Sequence, residues 1–250
     1  MTTFAYISKE RMIVEIFIPC FIDQLYPQTG FNFVKILEKA GCTIHYNPEQ
    51  SCCGQPAFNS GYSKETRILA KKFVTEFDVP YPIVSPGGSC TGFIRNHYPQ
   101  LLKDTKEAHA CEKLKDNIFE LTDFLVNTLH CVDLGAEFNA KVTFHDACSA
   151  LREYGLNQEP RLLLSKVKGL ELVEMNDSDV CCGFGGTFSV KHVSISSAMV
   201  EQKVQNAIAS GAQYIVTTES SCMLNIEGYI KKHNLPIKTI HIADILASGI

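Results

Sequence analysis

Several features are scarce or missing in this sequence of 250 residues, and their absence excludes whole classes of protein. Lysine and arginine do not exceed aspartate and glutamate, since the net charge is −4, and no basic stripe suggests a nucleic-acid partner. No apolar run approaches the roughly 18 residues that cross a bilayer. The N-terminal segment 1–20 lacks the pattern of a secretory signal. These absences predict a cytoplasmic protein that reaches a membrane, if at all, through its partners.

Common cofactor-binding motifs are also missing. The glycine run 183–186 has neither the G-x-G-x-x-G spacing nor the lysine of a phosphate-binding loop. No set of residues resembles a flavin or nicotinamide site. Direct hydride abstraction within this chain is therefore not predicted.

Cysteine is abundant, with eleven residues, and two Cys-Cys-Gly words organise most of them. The first word is flanked by single cysteines 31 residues before it and 36 residues after it, and the second by cysteines at 32 and 39 residues. A cytosolic chain with an odd cysteine count and vicinal pairs fits a disulfide scaffold poorly. The two sets of four are Cys20, Cys52, Cys53 and Cys90, and Cys148, Cys181, Cys182 and Cys222.

The repeat extends beyond the cysteines. In each copy a helical segment ends at a glycine, a short β-like run precedes Cys-Cys-Gly, and a further helix and a buried strand lead to the last cysteine. Alternating strands and helices predict an α/β fold of two parallel-sheet units related by internal duplication, each with one Cys-Cys-Gly motif. We expect the first unit at 1–126, a linker at 127–140 and the second unit at 141–250. The charged stretch 103–113 is predicted to be a surface loop.

Adjacent cysteines favour a polynuclear site. Consecutive side chains diverge in extended chain, so two neighbours reach one zinc ion with difficulty, whereas they can bind different irons of a cluster. The following glycine allows a positive φ and a close approach of the backbone to the sulfurs. Two matched sets of four thiolates therefore predict one or two iron–sulfur clusters, and zinc in one site stays open.

The sequence resembles a known family at these residues. The phrases IPCFIDQLYPQTG, CCGQPAFNSGY, GSCTGFIRNHYP, FHDAC, LRE, CCGFGGTFSVK and HIADIL are similar to those of the lactate-utilisation protein A family. More distantly, the duplicated pattern resembles the CCG domain of glycolate oxidase iron–sulfur subunits and of the catalytic subunit of heterodisulfide reductase. The resemblance covers nearly the whole chain.

The resemblance implies an iron–sulfur electron-transfer subunit of a multi-protein system that oxidises L-lactate to pyruvate. Its implied partners are a ferredoxin-like iron–sulfur subunit and a third subunit. All eight cysteines of the two sets would be cluster ligands. Heterodisulfide reductase has a fifth cysteine in a final C-x-x-C, where this chain has Phe93 and Asn225. Four thiolates suit a [4Fe-4S] cluster, whereas the unusual noncubane type is not predicted.

Two other functions remain open, a thiol–disulfide enzyme of the heterodisulfide reductase kind and a zinc-stabilised interaction protein. His145 is a candidate for a catalytic proton acceptor of a 2-hydroxy acid, for a metal ligand or for a hydrogen-bond donor to such a ligand. The alternative interpretation is a structural, hydrogen-bonded histidine at a strand end. Arg95, His97 and Arg152 either hold a substrate carboxylate or serve packing. The remaining cysteines, expected to be ordinary thiols, are Cys42, Cys111 and Cys131.

Overall fold

The computed structural model describes residues 11–250. The first ten residues, half of the segment expected to lack a secretory signal, lie outside the described residues. Within residues 11–250, no helix is both long and apolar enough to span a membrane.

The first unit alternates strands and helices and ends in a short α-helix that continues into a π-helical turn. Its elements are β1 Met12–Ile16, α1 Cys20–Leu25, α2 Pro27–Lys39, β2 Cys42–Tyr46, α3 Gln55–Asn59, α4 Ser63–Glu76, β3 Ile83–Ser85, α5 Gly88–Leu102, α6 Ala108–Asn117, β4 Ile118–Glu120, α7 Leu121–Asp123 and the π-helix Phe124–Thr128.

The second unit has the same order of strands. Its elements are β5 Glu137–Phe144, the π-helix Ala150–Tyr154, α8 Gln158–Leu164, β6 Lys168–Leu172, α9 Phe188–Lys191, α10 Val193–Ala209, β7 Tyr214–Thr217, α11 Ser220–His233, β8 Lys238–His241 and α12 Ile242–Leu246. Strand β5 begins inside the segment 127–140 that the sequence predicts as a linker. The limits of the two units stay a prediction.

The two sheets have the same topology. Their strand orders are β2-β1-β3-β4 and β6-β5-β7-β8, and every pairing is parallel. Parallel neighbours require a crossover connection, which the intervening helices supply. The prediction of a duplicated α/β fold is therefore confirmed.

One local prediction is wrong. Part of the charged stretch 103–113, predicted to be a surface loop, belongs to helix α6. Cys111 and Leu114, three residues apart on this helix, are buried and join the apolar core of the first unit. These two side chains form the apolar face by which the helix packs on the core, while most of its other residues are polar or charged.

The two units share an apolar core. One continuous cluster contains Val14 and Ile16 of β1 together with Val142 and Phe144 of β5, and α2 packs against α12. Hydrogen bonds reinforce this contact, since Asp244 in α12 accepts from Thr29 Oγ1 at 3.0 Å and Asn32 Nδ2 at 2.8 Å. Each unit also has a cluster of its own. The shared core fixes how the two sheets face each other.

The last strand of each unit ends in a buried polar residue that caps the helix after it. Glu120 Oε2 accepts from Thr122 N at 2.6 Å, and His241 Nδ1 accepts from Ala243 N at 3.2 Å. The second carboxylate oxygen of Glu120 has no hydrogen-bond partner among residues 11–250. Burial raises the pKa of Glu120 to about 8, so this carboxyl is protonated in the folded protein at neutral pH.

We predict that Glu120 makes stability fall with rising pH. Its folded pKa of about 8 lies above the ordinary 4.5, so its contribution is present below pH 4.5 and is lost as the pH rises towards 8. Glu120→Gln keeps an acceptor oxygen and removes the titration. The free energy of unfolding, measured by denaturant titration between pH 5 and 8, should then fall less steeply, by up to about 1.4 kcal/mol per pH unit. The matched control is Glu38→Gln on the exposed face of α2, and equal slopes for the two variants would contradict the prediction.

Candidate metal centre

The cysteines of both sets lie at the carboxyl ends of strands. Cys20 and Cys148 follow β1 and β5, and Cys90 and Cys222 lie in the first turns of α5 and α11, directly after β3 and β7. The two Cys-Cys-Gly words occupy the loops after β2 and β6. In open parallel sheets this edge forms the binding crevice.

A single pocket between the two units collects both sets. Helix α1 of the first unit packs against α11 of the second, and α5 packs against the π-helix Ala150–Tyr154. Because of this packing, the cysteine-bearing carboxyl edges of the two sheets face each other. The sequence predicts one site in each unit, and the structure places both along one cavity. Its lining includes Cys20, Cys52, Cys53, Cys90, Cys148, Cys181, Cys182 and Cys222.

The sulfur atoms approach one another closely without forming disulfides. In the first set, Cys20 Sγ lies 3.6 Å from Cys52 Sγ and Cys53 Sγ lies 3.3 Å from Cys90 Sγ. In the second set, the Sγ atoms of Cys148 and Cys181 are 4.0 Å apart. Two thiolates bound to one metal ion have similar separations, because metal–sulfur bonds are about 2.3 Å long.

The glycine of each word shapes its loop. Gly54 and Gly183 have φ values of 87° and 85°, in the left-handed region that side chains disfavour. The N–H of Gly54 donates to Cys52 Sγ at 3.4 Å, and that of Gly183 donates to Cys181 Sγ at 3.3 Å. The positive φ expected from the sequence is confirmed, and these N–H groups stabilise negative charge on sulfur.

The surroundings of the first set disfavour the ionisation of several of its cysteines at the same time. The hydrogen bond with Cys52, followed by burial, raises the pKa of Cys20, and hydrogen bonds with Cys52 and Cys90, together with burial, raise that of Cys53. Hydrogen bonds from Cys20, Cys53 and the Gly54 N–H lower the pKa of Cys52 to about 3. Of these three cysteines, Cys52 is thus the one that the surroundings favour as a thiolate.

The pocket offers no basic side chain to balance more negative charge. Among the described residues that line it, Glu219 is the one charged residue besides the cysteines. In the second set, the hydrogen bond with Cys181 and burial raise the pKa of Cys148. Full ionisation of the first set therefore requires cations in the pocket. Four thiolate donors per set fit a metal ion or an iron–sulfur cluster.

His145 lies beside the second set. It directly follows β5, is 0% exposed, and has no hydrogen-bond partner on either ring nitrogen among the described residues. One ring nitrogen and the Sγ atoms of Cys182 and Cys222 lie within 4.8 Å of one another. Burial, and then the positive charge of Lys203, lower the pKa of His145 to about 3. The ring thus makes no hydrogen bond within 3.5 Å to the described residues, although the Ser178 backbone lies close enough to raise its pKa.

Two residues that sequence reasoning missed hold the Cys-Cys-Gly backbones. Tyr98 Oη donates to the carbonyl of Cys53 at 2.7 Å, and Asn225 Nδ2 donates to the carbonyl of Cys182 at 2.8 Å. Asn225 occupies the position of the fifth cysteine of heterodisulfide reductase, and this position in the sequence marked it as close to the site. Tyr98 carried no such signal, because its role depends on the tertiary packing of α5.

The candidate carboxylate-binding residues do not line the pocket. Arg95 Nε donates to the carbonyl of Ile118 at 2.8 Å, and its guanidinium lies 4.3 Å from the centre of the Tyr154 ring. His97 packs against Phe58 with ring centroids 4.8 Å apart. Their contacts agree with the packing role.

Arg152 and the three cysteines outside the sets also lie away from the pocket. Arg152 Nη2 donates to the carbonyl of Asp179 at 3.3 Å. Cys42 and Cys111 are buried and Cys131 is half-buried. Burial raises the pKa of Cys42 and of Cys111 to about 11, as expected for inert thiols.

Comparison with known proteins finds the same duplication. The family model "CCG: Cysteine-rich domain" matches residues 14–95 and 142–227. "Lactate utilization protein A" of Bacillus pumilus is 42% identical over 238 residues, which cover 95% of this chain and 100% of that protein. The protein of the same name from Bacillus subtilis is 41% identical, with the same coverage. The resemblance to this family is thereby confirmed.

One solved structure supports the fold. A hypothetical protein from Helicobacter pylori superposes with a TM-score of 0.64 at 14% sequence identity. The match covers 95% of this chain and 49% of that one, so this chain spans about half its length. At this identity the likeness concerns the fold alone.

We predict that the two motif glycines differ in tolerance. Alanine at either position adopts the left-handed region at a cost of about 1–2 kcal/mol. At Gly183 the added Cβ would also lie 2.8 Å from the Ser196 carbonyl oxygen, whereas at Gly54 its nearest neighbours are 3.4 Å away. Gly183→Ala should therefore reduce the free energy of unfolding more than Gly54→Ala, by about 1 kcal/mol or more. Denaturant titration of the two variants measures the difference, and equal losses would refute this reading of the second loop.

Proposed function

The chain belongs to the lactate utilization protein A family and carries two copies of the cysteine-rich CCG domain, and on this premise we propose that it is an iron–sulfur electron-transfer subunit of a multi-protein system that oxidises L-lactate to pyruvate. The observation that carries the proposal is the convergence of two four-cysteine sets on one pocket, whose lining among residues 11–250 includes no basic side chain. Its proposed partners are a ferredoxin-like iron–sulfur subunit and a third subunit. The proposed setting is the cytoplasm, where thiols stay reduced.

The adjacent cysteines favour a cluster over a single ion. Cys52 and Cys53 follow each other in sequence, and their sulfurs lie beside those of Cys20 and Cys90. A polynuclear cluster accommodates such neighbours, because each thiolate can bind a different iron. A mononuclear site would instead need all four sulfurs around one centre. We therefore assign [4Fe-4S] clusters to the two sets, held by the eight cysteines.

Bound clusters would supply one-electron storage at both sides of the same pocket. The chain itself contributes rigid ligand loops, N–H groups directed at sulfur and a close approach of the two sets. The lining residues offer no histidine, lysine or arginine as a proton acceptor for a hydroxy acid. This composition supports electron relay, with the chemistry on lactate assigned to a partner.

A thiol–disulfide enzyme is the second candidate, because one observation favours it. Cys20, Cys52, Cys90, Cys148 and Cys181 are only partly buried, so a disulfide substrate can approach either set. This function requires reduction of a disulfide by the purified, reduced protein. Failure with a panel of disulfides would exclude it and leave electron relay in place.

We predict two clusters per chain in protein purified without oxygen. Such protein should be brown, with about four irons and four acid-labile sulfides for each set. Cys53→Ser and Cys182→Ser should each remove about half of the iron and sulfide, because each removes one ligand of one set. Cys111→Ser is the matched control, since Cys111 is a buried cysteine outside both sets, and it should retain the full content.

Metal and sulfide analysis with electron paramagnetic resonance measures these outcomes. Colourless protein that contains stoichiometric zinc and no sulfide would refute the iron–sulfur proposal and favour the zinc-stabilised interaction protein. Iron retained in full by both serine variants would contradict the assignment of the ligands.

A further inference from the structure

The two halves differ directly behind their cysteines. Cys20 and Cys148 occupy equivalent positions at the ends of β1 and β5, and three residues earlier the first half has Phe17 and the second has His145. Both side chains are 0% exposed. An aromatic ring without a donor atom in one half is thus replaced by an imidazole in the other.

The helix behind each Cys-Cys-Gly loop shows a matching difference. A Cβ on the motif glycine would contact Thr66 in the first half and Ser196 in the second, which aligns α4 with α10. Seven residues further along, α4 has Phe73 and α10 has Lys203. Phe73 packs edge-on against Phe17 with ring centroids 4.8 Å apart. The buried side chains behind the first set are therefore apolar, whereas those behind the second set are polar.

The surroundings of His145 leave its ring without an ordinary role. A buried polar group without a partner costs free energy, and both ring nitrogens lack one among residues 11–250. One ring nitrogen of His145 and the Sγ atoms of Cys182 and Cys222 all lie within 4.8 Å of one another. Imidazole is a common metal ligand, so an ion shared with these sulfurs would satisfy the ring.

The backbone around His145 is firmly held. Its N–H donates to the carbonyl of Val216 at 2.8 Å, and the next N–H, of Asp146, donates to the carbonyl of Ser178 at 3.1 Å. The Asp146 carboxylate accepts from both terminal nitrogens of Arg161 at 2.8 Å. Bidentate pairing of this kind fixes geometry. The network ties the strand end to the second Cys-Cys-Gly loop and places the imidazole beside it.

Asn225 does not compete for this role. Its amide nitrogen donates to the carbonyl of Cys182, which assigns it to support of the loop. The extra donor of the second set therefore comes from the strand end.

We propose that His145 is a nitrogen ligand of the iron group held by the second cysteine set. The second set then has five donors, four thiolates and one imidazole, whereas the first has four thiolates. The two clusters then differ in their protein ligands. This inference deepens the proposed function and rests on it, since it requires iron in the second set.

Nitrogen hyperfine coupling tests the proposal directly. The protein is purified without oxygen as the full chain carrying Cys53→Ser, which leaves the second set intact, with histidine labelled by ¹⁵N or ¹⁴N. Pulsed electron paramagnetic resonance of the reduced protein should show the strong coupling of a directly bound nitrogen, and the coupling should change with the isotope. The reciprocal Cys182→Ser protein, which retains the first set, should lack it.

Two further variants identify the nitrogen. His145→Phe, the residue type of the first half, should abolish the coupling and speed the loss of iron from the second set to a chelator by about tenfold or more. His192→Phe removes an exposed histidine of the same unit and should change neither. If His145→Phe does not fold, the comparison of the labelled Cys53→Ser and Cys182→Ser proteins still shows whether a histidine nitrogen binds the second set.

The failure of this inference is distinguishable from the failure of the proposed function. An iron-loaded Cys53→Ser protein without strong nitrogen coupling, or a second set that holds zinc, overturns the ligand assignment and leaves the first set as an iron–sulfur site. Absence of iron from both sets overturns the assignment together with the proposed function.

Discussion

The apolar core shared by the two units is the constraint on which the candidate site depends. Val14 and Ile16 of one sheet and Val142 and Phe144 of the other belong to a single buried cluster, so the sheets have one relative arrangement. That arrangement brings their carboxyl edges to opposite sides of one pocket. Two units held apart by a flexible linker would have separate cysteine sets. Fixed spacing instead allows the sets to act on each other, which is what an electron relay requires.

The duplication supplies the symmetry of this arrangement, and later substitutions reduce it. Glu120 and His241 cap equivalent helices with different chemistry, and Gly87 of the first half corresponds to Glu219 of the second. Glu219 Oε2 accepts from the N–H of Ser89 across the interface at 2.9 Å. The loop that carries one set is thus hydrogen-bonded to the loop that carries the other. Unequal halves joined in this way suit the proposed electron relay, since equal sites would have equal potentials.

Local patterns predicted much of the fold but little of the interface. Strand β2, at Cys42–Tyr46, is the β-like run expected before the first Cys-Cys-Gly word, because a short run of this kind between a glycine and a loop is a local signal. Helix α6 was missed because only Cys111 and Leu114 mark its buried face. The cysteine spacing identified the two sets, whereas their common pocket depends on packing between units. Lys203 was hidden within the apolar stripe of α10, where it lies beside Val204 and is 2% exposed.

The charge balance of the pocket also limits what the site can do. Thiols that are packed together resist joint ionisation, as the raised pKa values of Cys20 and Cys53 show, so a bound metal group would have to bring the compensating positive charge. The backbone N–H groups of Gly54 and Gly183 are already directed at sulfur and need not move when the charge changes. The Cys-Cys-Gly loops follow strand ends, and Tyr98 and Asn225 hydrogen-bond to their backbones. Loops supported in this way suit the proposed electron relay, because a small rearrangement on reduction favours rapid electron transfer.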